Sequence, residues 1–175
     1  TSGQFALDGG SWDVDNNVWL VGDDAEVLVI DAPHDAAAIL DAIGGRTVVA
    51  IVLTHGHNDH VNAAVELGKA TGAQVWFPPE DRMLWDAEHD TPPDQELHTG
   101  ATFEVAGTTL RAISTPGHSP GSTCLYAPDL GVVFSGDTLF NGGPGATGRS
   151  YSDFPTIIDS IRERLLTLPD ETIVH

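Results

Sequence analysis

The amino-acid sequence predicts a layered α/β domain. Two observations carry that reading: apolar runs of strand length occur in both halves of the chain, and helical patterns lie between them. A third narrows it. No period of 20–50 residues and no linker divides the 175 residues, so neither a repeat array nor two domains is indicated. One domain over residues 1–175 is the expectation.

The elements follow in order. Val18-Trp19-Leu20-Val21 and Val27-Leu28-Val29-Ile30, separated by Gly22-Asp23-Asp24, predict a hairpin. Pro33-His34-Asp35 opens a helix over 36–43 that Gly44-Gly45 stops. Residues 48–53 form a continuous apolar run, the mark of a strand buried on both faces. A polar loop spans 54–60. Val61, Ala64, Val65 and Gly68 then recur at helical spacing, with Gly72 as a stop. Val75-Trp76-Phe77 is a short strand. Residues 80–101, acidic and interrupted by Pro92-Pro93, read as a surface excursion. The second half gives strands at 102–105, 110–115, 122–127 and 132–135, then a Gly-rich loop over 142–148. A helix begins near Pro155, with Ile157, Ile158, Ile161 and Leu165 on one side, and Thr172-Ile173-Val174 is a last strand.

Composition removes several function classes. Seven basic residues against 26 acidic ones give a net charge of −19, which repels phosphate backbones and anionic membranes. Neither a nucleic-acid nor a membrane partner is therefore expected. No apolar run approaches the roughly 18–20 residues of a membrane span. An apolar content of 41% is enough for a core and argues against disorder. The single cysteine, Cys124, excludes an internal disulfide and a cysteine-rich metal site. It lies in an apolar strand and reads as a small buried hydrophobe. No secretory signal is present, although the sequence begins at Thr1, where processing would also leave a residue other than Met; the cytoplasm is the default.

The chemistry lies in Thr54-His55-Gly56-His57-Asn58-Asp59-His60, where four candidate metal ligands occupy six residues directly after a buried strand. His55 and His57 project to one side if the backbone there is extended. His118, in Thr115-Pro116-Gly117-His118, and Asp137, in Ser135-Gly136-Asp137-Thr138, also follow strands, so all can converge at one edge of the layers. Four histidines and two carboxylates exceed what one tetrahedral ion needs. A carboxylate can bridge two ions, a role that suits Asp137. The set implies two divalent metals held by nitrogen and oxygen ligands, zinc in preference, with iron or manganese open. Asp31, at the end of a strand, is expected to support a ligand histidine from behind. His34, His89 and His98 read as solvated. Gly143-Pro144-Gly145-Ala146-Thr147-Gly148 matches G-x-G-x-x-G but opens no helix, so a dinucleotide site is rejected in favour of a pocket rim. Arg149 and Tyr151 beside it are candidate substrate contacts; an ion pair with an Asp is the competing expectation for Arg149.

The motifs His55-x-His57-x-Asp59-His60, Pro116-Gly117-His118 and Ser135-Gly136-Asp137-Thr138 resemble those of the metallo-β-lactamase-fold hydrolases, in particular the glyoxalase II-like branch. The resemblance runs from about Val18 to the end. It implies a four-layer αββα sandwich, with His55, His57 and His118 on a first metal, Asp59 and His60 on a second, and Asp137 between them. It implies hydrolysis of a small thiol's thioester by a metal-activated hydroxide, with Asp59 as the residue that orients it and takes its proton. A mononuclear iron persulfide dioxygenase and a lactonase are the alternatives. The true β-lactamases lack the bridging aspartate, which argues against antibiotic hydrolysis. Residues 136–140, Gly148-Arg149 and Asp153-Phe154-Pro155 are similar to the glyoxalase II and persulfide dioxygenase branches, whereas 146–152 departs from their shorter spacing. Family members add a histidine in a Pro-Gly-His-Gly turn after the last strand. Here His175 stands at that point. Either it fills the place or the ligand lies beyond the given sequence; the second is expected, since a terminal residue is poorly held, and a C-terminal helix would then be lacking too.

Overall fold

Strand β4 (Glu26–Ile30) shows how the layers arise. Val27 and Val29 face one way, Leu28 and Ile30 the other, and all four are fully buried. A strand apolar on both faces must lie between two packed layers. The computed structural model, which describes residues 1–175, places it there. The first sheet runs β3-β4-β5-β6-β7, with β3 (Trp19–Gly22), β5 (Thr47–Val52), β6 (Val75–Phe77) and β7 (Gln95–Glu96). Its β3–β4 pair is antiparallel, as the predicted hairpin requires, and the rest are parallel. The second sheet runs β14-β11-β10-β9-β8, built from β8 (Thr102–Val105), β9 (Thr108–Ser114), β10 (Thr123–Ala127), β11 (Val132–Phe134) and β14 (Ile173–Val174).

Three apolar clusters cement four layers. Leu28, Ile30, Ala50 and Val52 of the first sheet meet Phe103, Leu110, Ala112 and Leu125 of the second. The outer face of the first sheet packs on α1 (Ala36–Ile43), α3 (Ala64–Thr71) and α4 (Arg82–Glu88) through Ile39, Ile43, Leu67 and Trp85. The outer face of the second packs on α5 (Phe154–Ser160) and the wider helical turn over Ile161–Leu165, through Cys124, Val133, Ile157 and Leu165. The order is helix, sheet, sheet, helix: the αββα sandwich. Within the apolar run 48–53, Val49 alone is exposed. The ladder with β4 skips it, pairing Val27 with Val48 and Leu28 with Ala50, so it is the extra residue of a bulge.

Two segments differ from expectation. Residues 80–101 are not a plain surface excursion, because Asp81, Leu84, Trp85 and Leu97 are buried and α4 caps the first sheet. A hairpin of β1 (Ser2–Leu7) and β2 (Gly10–Asp15) precedes the predicted first strand. Its two-residue turn is Asp8-Gly9, both at positive φ, the turn whose twist matches paired strands. That Asp-Gly, between alternating apolar residues, was a legible signal.

Candidate metal centre

Every predicted ligand follows a strand or caps the turn after one, at the same edge of the two sheets. His55 and His57 leave the end of β5, and Asp59 and His60 sit in the helical turn α2 (Asn58–Val61). His118 lies in the β9–β10 connection and Asp137 just past β11. The backbones of these loops are tied to the sheets and to α5. Thr54 C=O accepts from Thr123 N–H at 2.8 Å, joining the two sheets where the ligand loops begin. Gly117 takes φ +139, and a Cβ there would stand 2.3 Å from Ile157 N, so α5 can press directly on the His118 turn. Ser160 Oγ donates to Pro116 C=O at 2.7 Å from the same helix.

The imidazoles are oriented from outside. His60 Nδ1 donates to Asp31 Oδ2 at 2.8 Å, and His118 Nδ1 to Ala146 C=O at 2.8 Å. Thr54 Oγ1 donates to Asp31 Oδ2, so its oxygen is left to accept from His55 Nδ1 at 3.1 Å. With those protons turned outward, the Nε2 atoms of His55, His60 and His118 face inward. Asp31 therefore backs a predicted ligand, as expected of it.

Inside, His57 Nδ1 lies 3.0 Å from His55 Nε2 and 2.9 Å from His118 Nε2. Three ring nitrogens crowded at one point cannot all be satisfied by shared protons. A tetrahedral cation with bonds of about 2.0–2.1 Å separates its ligand atoms by roughly 3.3 Å and serves them all. A second group joins His55, His60 and Asp137. Asp137 Oδ1 is 3.4 Å from His60 Nε2, and Oδ2 is 3.5 Å from His118 Nε2. Asp59 stands at the margin of that group, Oδ2 3.9 Å from His60 Nε2 and held by Asn16 Nδ2 at 3.0 Å; its buried Oδ1 has no partner. Of these six residues only Asp137 is partly open to solvent. The residues fit metal: a nitrogen and carboxylate donor set, lone pairs converging, and buried polar atoms without partners.

Electrostatics agree. Burial drives the His55 pKa well below its ordinary value and that of His57 down to about 3, with cationic neighbours adding to both, so these rings are neutral and free to donate electrons. Burial would depress His60 too, but Asp137, Asp31 and Asp59 outweigh it and raise it to about 10. Carboxylates that hold a proton on His60 so firmly also favour a cation in its place.

Other predicted residues fall as follows. The Arg149 guanidinium forms no ion pair with an aspartate; it stacks on Trp12, 3.8 Å from the ring centroid, with Phe5 at 5.8 Å. Phe5 in turn meets the His57 ring edge-on at 5.2 Å, so the hairpin and Arg149 form the rim of the site. Tyr151 is exposed, at φ +70. His175 is better held than a terminal residue is expected to be. Its C=O accepts from Ser135 N–H at 2.8 Å, and its ring lies 4.9 Å from Trp19. It lines a cavity of about 190 Å³ together with His60 and Asp137. Two histidines are not simply solvated: half-buried His34 binds Asn16 Oδ1 at 2.9 Å, and His89 donates to Val61 C=O at 2.9 Å, against Trp85. His98 is exposed, beside Glu96. Asn16 and Asp81 carried no sequence signal of their own, the first a loop amide and the second one acid among many.

An αββα sandwich with a His/Asp metal-binding cluster at one sheet edge is the arrangement of the metallo-hydrolase superfamily. The chain belongs to the metallo-beta-lactamase superfamily, whose family model matches residues 12–175. It is similar to the probable metallo-hydrolase YqgX of Bacillus subtilis (strain 168), 34% identical over 174 residues, covering 91% of this chain and 82% of that protein. It is also similar to the hydroxyacylglutathione hydrolase of Aeromonas salmonicida (strain A449), 35% identical over 166 residues, covering 92% of this chain but 60% of the relative. Among solved structures, TTHA1623 in a di-iron-bound form matches with a TM-score of 0.79 and 32% identity, over 91% of this chain and 85% of that one. No helix of the fold is long and apolar enough to cross a membrane.

Proposed function

We propose that the chain cleaves a thioester of a small thiol with the aid of two divalent cations, zinc in preference to iron or manganese. One observation carries the reading: the Asp137 carboxylate turns one oxygen to His60 Nε2 at 3.4 Å and the other to His118 Nε2 at 3.5 Å. A carboxylate that reaches two nitrogen groups supports a pair of cations sharing it. His55, His57 and His118 would hold the first; Asp59 and His60, the second. Bound there, the pair supplies a water whose pKa falls from about 15.7 toward 7 and a Lewis acid for the acyl carbonyl.

The chain's residues do the rest. Asn16 fixes Asp59 by its Oδ2, which leaves Oδ1 to orient the attacking water and accept its proton. Asp137 lines a cavity with His60 at the side of the proposed second cation. Arg149, over the Trp12 ring at the rim, offers a polar contact to the thiol portion, and exposed Tyr151, two residues on, is a further candidate. No side-chain nucleophile is needed, and the buried Cys124 thiol, pushed up to about 11 by desolvation, is unsuited to be one. The substrate class rests on the likeness to the hydroxyacylglutathione hydrolase, of which the chain spans three fifths.

The test replaces His57 or Asp59 by Ala, restores metal, and assays a panel of thioesters and lactones. Loss of thioester turnover in both variants supports the reading; unchanged turnover sinks it. The di-iron-bound form of TTHA1623 supports iron as the alternative metal, and a mononuclear iron persulfide dioxygenase is the second reading. One iron per chain with oxygen uptake would select it, and two zinc ions would select hydrolysis.

A further inference from the structure

The first metal group draws on two separate loops: His55 and His57 leave β5, and His118 comes from the β9–β10 connection. Something must set the distance between them. Asp81, the last residue of a short turn (Pro79–Asp81) before α4, lies between the two loops with no solvent exposure. Its Oδ2 accepts from Gly56 N–H at 2.8 Å, the peptide between His55 and His57. The same oxygen accepts from the hydroxyl of Ser119, the residue after His118, at 2.6 Å. Its Oδ1 accepts from Gly121 N–H at 2.6 Å. One carboxylate thus takes one donor from the first loop and two from the second.

The packing repeats the message independently. A Cβ on Gly56 would stand 2.8 Å from Asp81 Cβ, and one on Gly121 would stand 2.7 Å from Asp81 Cγ. Both loops approach this side chain too closely for any residue but glycine. The Ser119 proton is committed to Asp81, so Ser119 Oγ accepts from Ser122 Oγ at 2.9 Å, which extends the clamp to the end of the loop. Neither the fold nor the proposed chemistry otherwise requires a buried carboxylate here.

We propose that Asp81 is a positioning residue for the first metal group: it clamps the His55–His57 loop to the His118 loop and so sets the spacing of the three imidazoles. The proposal rests on the metal-centre reading above. An Asn at this position keeps the shape but brings an NH2 group and only one accepting oxygen to three donors, so the clamp must open.

The experiment titrates full-length wild type, D81N and S119A with Zn(II) in competition with a chromophoric chelator, and records the visible spectrum of each Co(II) form. Loss of a partner that orients metal ligands lowers affinity about 10–100-fold. D81N should lose affinity by that factor, with a changed Co(II) spectrum and unaltered far-UV circular dichroism. S119A, which removes one donor of three, should lose less. D81N with wild-type affinity and spectrum overturns the proposal, even if its melting temperature is lower. If D81N does not fold, S119A decides: weakened binding supports the clamp, wild-type binding overturns it. A wild type that binds neither ion overturns the metal-centre reading itself, and the clamp with it.

Discussion

Nδ1 of His60 lies 2.8 Å from Oδ2 of Asp31, and this contact decides where the other ring nitrogen points. Asp31 adopts φ +62, a left-handed backbone that Asp tolerates better than most residues. There it accepts from Thr54 N–H, Thr54 Oγ1 and His60 Nδ1 at once. The strand end, the first residue of the candidate ligand loop and the His60 ring are thereby tied to one carboxylate.

Replacing Asp31 by Asn preserves the volume and the left-handed backbone but removes acceptors. We expect metal bound at the His60 side to weaken by about 10–100-fold, as for other partners that orient ligands. Each buried donor left unpaired adds about 1–3 kcal/mol of destabilisation. Metal content after dialysis against a weak chelator, with urea unfolding of the metal-free protein, reads both.

The metal-free chain should be most stable near neutral pH. His57, at about 3 when folded against 6.5 for the free side chain, binds fewer protons folded than unfolded. Stability is therefore lost as pH falls from about 6.5 toward 3, and His55, also lowered, acts in the same direction. His60 has the opposite sign: raised to about 10, it contributes fully below about 6.5, and the contribution disappears as pH rises through 10. Urea midpoints of chelator-treated protein from pH 4 to 10 should trace a dome, and His60→Gln should flatten its alkaline limb. A flat alkaline limb in the wild type would contradict the role given to the three aspartates.

Much of this site was legible because its signal is local. Four candidate ligands in six residues after a strand need no tertiary knowledge, and the like placement of His118 and Asp137 after strands makes them candidates for the same edge. The layers were legible too, since Val27–Ile30 and residues 48–53 bury both faces and say so in their composition. Asp81 was hidden for the converse reason. In an acidic stretch it reads as solvated, and only the approach of Gly56 and Gly121, 25 and 40 residues away, makes it a buried clamp. His34 was misread likewise, since its partners Asn16 and Asn62 come from segments 18 and 28 residues distant.

Gly117→Ala should be among the most damaging glycine changes. The new Cβ meets the backbone of Ile157, which cannot rotate away, and φ +139 is unfavourable for Ala. Either α5 or the His118 turn must shift. A loss of several degrees in melting temperature together with weaker metal binding is the expected result, measured by thermal unfolding with and without Zn(II).

Cys124 should be inert in the native protein. It is fully buried, its thiol is pushed up to about 11, and it lies 3.2 Å from Thr115 Oγ1. Ellman's reagent at pH 8 should label it only after denaturant is added, and Cys124→Ala should keep turnover unchanged. Fast native labelling with loss of activity would mean that the thiol takes part.

The proposed sharing of the Asp137 carboxylate by two cations is the central claim, and counting metal tests it most directly. Element analysis of purified wild type and Asp137→Ala, each saturated with Zn(II) and then gel-filtered, gives ions per chain. The account predicts two ions in the wild type and at most one tightly held ion in the variant. A wild type that retains one ion, with the variant retaining it equally well, would contradict it.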